Sequence, residues 1–561
     1  MPDARQELER ALGLHQQGQL RAAEKAYLAV LGLDPRQFEA MHGLGVLYMQ
    51  NGSIERSEKQ LRLALQFDPD NVAANHDHGV TLRSLGRFAD AVASFDKSIA
   101  KAPGNALAHF NRATALLSSD RTDEAIAGFG RAILLEAGFA VAYCQRGNAL
   151  LQVGRARDAL DDFDQAIALN PNFAEAILNR ANTLRELDRT EEAVPAYRKV
   201  TALRPDHPQA YHNLGLALQD LGRFDEASAS YNRAIFVQPR FHESIKARGT
   251  LELLLGKMQQ GFSDFEHRLR PEDLSAHPAL RAIPAWSGEG LAGKSIVVYS
   301  DGSMGDLVQF CRYLPRLLAV TADVALLAPA RFHKILAMES IGVRSLSSLA
   351  SGDKFDVRCE LMSLPFLFKT DIDTVPRVIT HLMPDASLLA KWRARLPRDT
   401  FNVGICWQGN PTRDIDHGRS VPLSQFRPLM QIPGVRFFSL QKDHGVEQLQ
   451  ELPESMRVES FGPEFDGDGD AFMDTAAVMT SLDLIVTSDT AVAHLAAALG
   501  RPTWVALKYV PEWRWLLNRA DSPWYPAVRL FRQSAPGQWA PVFTEIANAL
   551  GEILGGRSTA H

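Results

Sequence analysis

Along the first half of the chain the apolar positions follow a helical period, and the whole pattern returns every 34 residues. Prolines stand at Pro35, Pro69, Pro103, Pro171, Pro205 and Pro239, each gap being 34 or twice that, with Ala137 in the skipped place. Small residues keep the spacing at Gly45, Gly79, Ala113, Gly147, Ala181, Gly215 and Gly249. Bulky ones keep it at Tyr27, Leu61, Phe95, Phe129, Phe163, Tyr197, Tyr231 and Phe265. This predicts stacked helical hairpins. The small residue lets two helices approach, the bulky one fills the space between repeats, and the proline ends the second helix. From Ser295 the pattern changes. Short apolar runs (SIVVYS, DVALLAP, NVGICW, VRFFSL, LDLIVTSD, TWVAL) alternate with helical stretches, which predicts parallel sheets in α/β layers.

The expected organisation is an all-α solenoid over residues 4–270, with seven full repeats and a degenerate eighth. A Pro-, Gly- and Ala-rich linker follows over 271–294, then two α/β lobes over 295–390 and 391–556, separated near the polar helix PDASLLAKWRARLPR. Two doubly wound sheets facing each other would leave a cleft at the C-terminal ends of their strands. The 34-residue unit resembles the tetratricopeptide repeat, whose stacks offer a concave groove to a partner. Asp77, Asn111, Gln145, Asn179 and Asn213 share one place in successive repeats. Side-chain amides in register can pair with the backbone of an extended peptide. Asparagine is also simply common at this place. Arg112, Arg146 and Arg180 follow the same spacing and are candidates for tying neighbouring repeats together.

Composition narrows the function. A net charge of −6 argues against nucleic acid as the main partner. No apolar run approaches the roughly 18 residues of a membrane span, and MPDARQELERALGL has no apolar core of a secretory signal. The four cysteines lie far apart, and the sixteen histidines show no HExxH spacing. The expectation is a cytoplasmic protein that needs no metal.

Three turns carry candidate chemistry. In LIVTSDTAVAHLAAALGRPTWVAL a strand turns through Ser488, Asp489 and Thr490 into a helix and returns to a strand. A helix mouth favours an anion through its free N–H groups and dipole, although the same three residues can serve as helix caps. In SIVVYSDGSMGDLVQF two glycines precede Asp306, an acid placed toward the cleft or toward the helix dipole. After NVGICW comes a polar loop bearing Arg413 and Arg419, suited to phosphate or merely solvated. Gln441 and Lys442, after VRFFSL, are further candidates for the base or ribose of a nucleotide. The tryptophans of Trp513-Arg514-Trp515 read as packing rather than as a sugar platform.

Together GSMGD, WQGNPTRDIDHGRSVPL and SDTAVAHLAAALGRP resemble glycosyltransferase family 9, the heptosyltransferases, and in particular bacterial proteins that append such a region to tetratricopeptide repeats. The resemblance implies a GT-B pair of Rossmann-like lobes and a metal-independent inverting transfer from a nucleotide-diphosphate sugar, with no cofactor. It implies Asp306 as catalytic base. It places the diphosphate at Thr490, Ala491 and Val492, near Asp489 and His494, with Arg419 as the loop cation where the family usually has lysine. The repeat amides resemble the asparagine ladder of the protein O-GlcNAc transferase family, which implies a protein or peptide acceptor, flagellin-type proteins among them. The N-terminal lobe is shorter than in heptosyltransferases. That departure keeps a second expectation open: a repeat scaffold or chaperone-like adaptor with a degenerate transferase region. A third keeps the enzyme but gives it a glycan or lipid acceptor, the repeats serving assembly.

Overall fold

The computed structural model describes residues 3–558 apart from 270–273, 275–276, 301–302, 351, 378–381, 412–415, 417, 454–455 and 468. Arg413, with its neighbours 412, 414, 415 and 417, and the Asp301-Gly302 part of the glycine turn lie outside the described residues. The chain forms two compact units, Met1–Ala217 and Leu218–His561.

Sixteen helices among the described residues run from Ala4–Gln16 to Met258–Phe265 as eight hairpins. The 34-residue pattern explains their packing. A Cβ on Gly79 would stand 2.7 Å from the Phe95 ring, and one on Gly147 2.7 Å from Phe163. The bulky residue therefore lies on the small residue of its own hairpin, and Phe95, Phe129 and Phe163 have no exposed surface. Six of the second helices end two residues before a proline, with one cap residue between. Asp34, Asp68, Ala102, Asn170, Arg204 and Gln238 are all extended there, with φ from −131° to −136°, as a following proline requires. The turn inside each hairpin needs a left-handed residue. Glycine supplies it at Gly18, Gly52, Gly86, Gly154, Gly222 and Gly256, whereas Asp120 (φ 59°) and Asp188 (φ 60°) hold the same place with a side chain.

The second unit continues through helices Phe224–Val237, His242–Leu254 and Met258–Phe265 into the α/β half. Four strands, β1 (Ser295–Tyr299), β2 (Asp323–Leu327), β3 (Arg344–Leu346) and β4 (Val357–Glu360), form a parallel sheet in the order β3-β2-β1-β4. Six more form a second parallel sheet: β5 (Phe401–Cys406), β6 (Val435–Ser439), β7 (Val458–Glu459), β8 (Leu484–Ser488), β9 (Thr503–Leu507) and β10 (Val528–Arg532). Its order is β10-β9-β8-β5-β6-β7. Counted from β5 this is the 3-2-1-4-5-6 winding of a complete dinucleotide-type sheet, and the smaller sheet repeats its first four places. Residues before β1 run along β4: Arg358 N–H donates to Pro284 O and Trp286 N–H to Arg358 O, each at 2.8 Å. The polar segment between the sheets forms the helix Ala386–Arg393, capped by Asp385 and anchored by buried Trp392, whose Nε1–H donates to Asp474. No helix among the described residues is long and apolar enough to cross a membrane.

Candidate functional site

In a doubly wound sheet, ligands bind where neighbouring strands send their chains to opposite faces. In the six-stranded sheet that point lies between β5 and β8. Both strands are fully buried and end in the two polar turns. After β8 the chain passes Asp489 and starts the helix Ala491–Ala498, with Thr490 extended at the N-cap (φ −136°, ψ 173°). The Thr490 hydroxyl makes no capping bond. It lies 3.3 Å from Thr487 Oγ1 and 3.8 Å from Cys406 Sγ instead. The first N–H groups of this helix, at Ala491 and Val492, therefore meet no capping side chain, and an anion is their natural partner.

The loop after β5 brings Arg419 to the same end. Its Nε lies 3.4 Å from Asp416 Oδ1, and Ser420 Oγ donates to both Asp416 oxygens at 2.8–2.9 Å. Gly409 makes room for this arrangement, since a Cβ there would stand 2.5 Å from both Arg419 Nη2 and Asp416 Oδ1. Burial pushes the Asp489 carboxyl above its ordinary range, while Arg419, Arg514 and Lys508 pull the other way. His494, one turn into the helix, is stacked on Trp515 with ring centroids 5.1 Å apart, and its Nδ1 lies 2.9 Å from the Tyr525 hydroxyl. Burial, and then the cations Arg514, Arg312 and Arg419, hold it well below the usual imidazole range, so it is a neutral group.

Gln441 and Lys442 are engaged elsewhere. The Gln441 carbonyl accepts from Trp407 N–H and Gln408 N–H at 3.0 Å, and its amide donates to Gln408 O and His444 O at 2.8 Å. It locks the ends of β5 and β6 together with its hydrogen-bonding capacity filled. Lys442 Nζ donates to the carbonyls of Phe465 and Asp466.

Asp306 comes from the four-stranded sheet, in the first turn of the helix Met304–Phe310 that follows β1. This helix packs against Ala491–Ala498. The approach is close at Gly305, where a Cβ would stand 3.3 Å from the His494 ring. The Asp306 carboxylate accepts from Arg514 Nη2, and Arg514 Nη1 donates to Glu512 at 2.5 Å. Burial pushes the Glu512 carboxyl up to about 7 in spite of Arg514. Lys508, at the exit of β9, is pushed down by burial, with Asp220 and Asp489 opposing. Glu512 and Lys508 carry no recognisable spacing in the sequence. Arg514 was visible only as the charge inside a tryptophan pair, and that pair is packing as expected: Trp513 and Trp515 are buried. Among the described residues no group of three or more His, Cys, Asp or Glu is placed to hold a metal ion.

In the first unit the amide positions touch one repeat away. Asn179 Nδ2 donates to Asn148 Oδ1 and Asn213 Nδ2 to Asn182 Oδ1, each at 2.8 Å, and Gln145 donates to Glu175 at 3.3 Å. Asn111 Nδ2 lies 3.0 Å from His76 Nε2, and Asp77 Oδ2 2.8 Å from His42 Nε2. Burial would raise the Asp77 carboxyl, but His42 and His76 outweigh it and hold it below its ordinary value. Of the arginines, Arg112 reaches back to Asp96 and Arg180 to Asp164 in the preceding repeat, whereas Arg146 pairs with Asp162 of its own.

Comparison with known proteins finds relatives of both halves. Residues 3–72, 76–140, 140–173, 173–236 and 212–266 match tetratricopeptide-repeat models. Protein FlbA of Caulobacter vibrioides is 29% identical over 327 residues, 54% of this chain and 54% of FlbA, so the chain spans about half the length of that relative. Among solved structures, MamA is 23% identical, covering 29% of this chain and 95% of its own with a TM-score of 0.28. YrrB, described as a TPR protein with an unusual peptide-binding site, is 21% identical over 34% of this chain and 97% of its own, with a TM-score of 0.30. Residues 427–507, which hold β6, β8, β9 and the helix mouth at Thr490, match glycosyltransferase family 9 (heptosyltransferase). The chain thus joins a tetratricopeptide-repeat solenoid to an α/β region carrying a family 9 glycosyltransferase match.

Proposed function

We propose that the chain is a glycosyltransferase that moves a sugar from a nucleotide-diphosphate sugar to a protein or peptide acceptor held by the repeat amides. The transfer is inverting and needs no metal. The observation that carries this reading is the uncapped helix start at Thr490, at the switch point of a 3-2-1-4-5-6 sheet, with Arg419 acting on the adjoining Asp489 and the helix that carries Asp306 packed against it. The diphosphate lies on the N–H groups of Ala491 and Val492, and Arg419 stabilises the charge that develops as it leaves. Asp306 takes the proton of the acceptor hydroxyl as the oxygen attacks the anomeric carbon from the opposite face.

Thermal-shift measurements in EDTA against UDP, GDP, ADP, CMP, dTDP and their sugars test this. Binding to the native state raises the midpoint by mass action. One nucleotide class should shift it, and Arg419→Ala should abolish the shift. Asp306→Asn should keep the shift and lose transfer. A second reading, a repeat scaffold with a silent transferase region, draws on the Asp306 carboxylate being already paired with Arg514. No shift with any nucleotide would favour it.

A further inference from the structure

We infer that Arg514 is the positioning residue for Asp306, holding its carboxylate at the angle from which it takes the acceptor proton; this rests on Asp306 being the base.

The guanidinium is held at both terminal nitrogens, while its buried Nε has no hydrogen-bond partner among the described residues. One Nη reaches Asp306 and the other Glu512, and Glu512 also accepts from Arg514 N–H at 2.8 Å. The face of the guanidinium lies 4.7 Å from the centre of the Trp513 ring and 5.4 Å from that of Phe310. Phe310 ends the same helix whose first turn holds Asp306. Trp513 in turn is wedged between that helix and the last repeat hairpin, with ring centroids 6.4 Å from Phe310, 5.7 Å from Phe262 and 6.0 Å from Phe265.

The backbone of this loop is strained. Leu516, two residues on, has φ 55° and ψ −172°, a conformation that is essentially glycine's alone. It is held there by burial of Leu516 and Trp515 and by Arg532 Nη2, which donates to Trp515 O at 2.8 Å. Strain of this kind persists only where the surroundings over-determine it. What this loop delivers is one guanidinium to one carboxylate. A cation meant only for phosphate would not need two carboxylates on its nitrogens. Among the described residues Arg419 forms one ion pair, its Nε 3.4 Å from Asp416 Oδ1.

The test compares kcat with KM on the full-length chain, following hydrolysis of UDP-, GDP-, ADP- and dTDP-sugars, in which water is the acceptor that gives up its proton and takes the sugar as the nucleoside diphosphate leaves. Arg514→Met should lower kcat about 100-fold, within the range of a mis-set general base. Donor KM and the affinity for the free nucleoside diphosphate should stay within about twofold. Arg514→Lys, which keeps the charge and one contact, should recover part of the loss and also covers the case of a poorly folding Met variant. In an Asp306→Asn background Arg514→Met should cost nothing more, because the two groups act as one unit.

A kcat unchanged by Arg514→Met overturns the inference, as does a loss confined to KM or one that multiplies with Asp306→Asn. If Asp306→Asn itself keeps kcat, the assignment of the base fails. If none of these sugars turns over, both fail.

Discussion

Glu512 ionises at about 7 in the fold against an ordinary 4.5, because burial outweighs the attraction of Arg514 and the nearby Asp489 and Asp306 add to the rise. The folded chain therefore holds this proton more tightly than the unfolded chain. The contribution to stability is complete below about 4.5, declines as pH rises, and is gone above about 7. The difference amounts to about 3 kcal/mol at about 1.4 kcal/mol per tenfold in acidity. The 17% exposure of the side chain argues for the lower part of a range of about 2–4 kcal/mol. Glu512→Gln imitates the protonated acid at every pH. It should match the parent near pH 4.5 and exceed it by about 2–3 kcal/mol at pH 8. Urea unfolding at several pH values measures this, followed by tryptophan fluorescence, since all eight tryptophans lie in Leu218–His561 and none reports on the first unit. A difference that stays flat between pH 4.5 and 8 would refute the reasoning, as would a parent more stable than the variant at pH 8.

Other expectations concern packing and reactivity. Asp188→Gly places glycine at a left-handed turn already glycine in six hairpins. It should raise the thermal stability of the solenoid by about 0.5–1 kcal/mol, read from the helical circular dichroism signal. Gly147→Val would drive a side chain into Phe163 and should cost about 3 kcal/mol in the same assay. All four cysteines are buried, and burial pushes the Cys144 thiol up to about 12 and the Cys406 thiol to about 11. The native chain should therefore resist Ellman's reagent at pH 8 and react only on unfolding.

What could be read from the sequence divides along physical lines. Six strands were legible, β1, β2, β5, β6, β8 and β9, and each lies inside its sheet with a neighbour on both sides. The four without a clear apolar run, β3, β4, β7 and β10, are the four sheet edges. An interior strand is covered on both faces and reads as a continuous apolar run. An edge strand such as VRLFR alternates with charge, which protects it from pairing with other chains and hides it from the eye. The same contrast holds at the site. The strand-turn-helix at Thr490 is local, so its residues announce themselves. Arg514 and Asp306 meet across 208 positions, and no spacing encodes that pairing. Gln441 and Lys442 follow a strand end as nucleotide contacts do, yet their side chains are taken by the backbone of neighbouring loops. The repeat ladder is legible from its period alone, but its acceptors Asn148 and Asn182 stand elsewhere on the helix, and the period does not encode that pairing.

The boundary between the compact units, at Ala217 and Leu218, makes the repeat array modular on one side only. Gain or loss of a whole hairpin by gene duplication within Met1–Ala217 would change the reach of the solenoid and leave the aromatic seat of Trp513 untouched. The same event in the final hairpin would remove Phe262 and Phe265 and unseat the loop that carries Arg514. Repeat number is thus free to drift at the amino-terminal side without disturbing that seat. The final hairpin is committed to the α/β half and would have to be inherited with it.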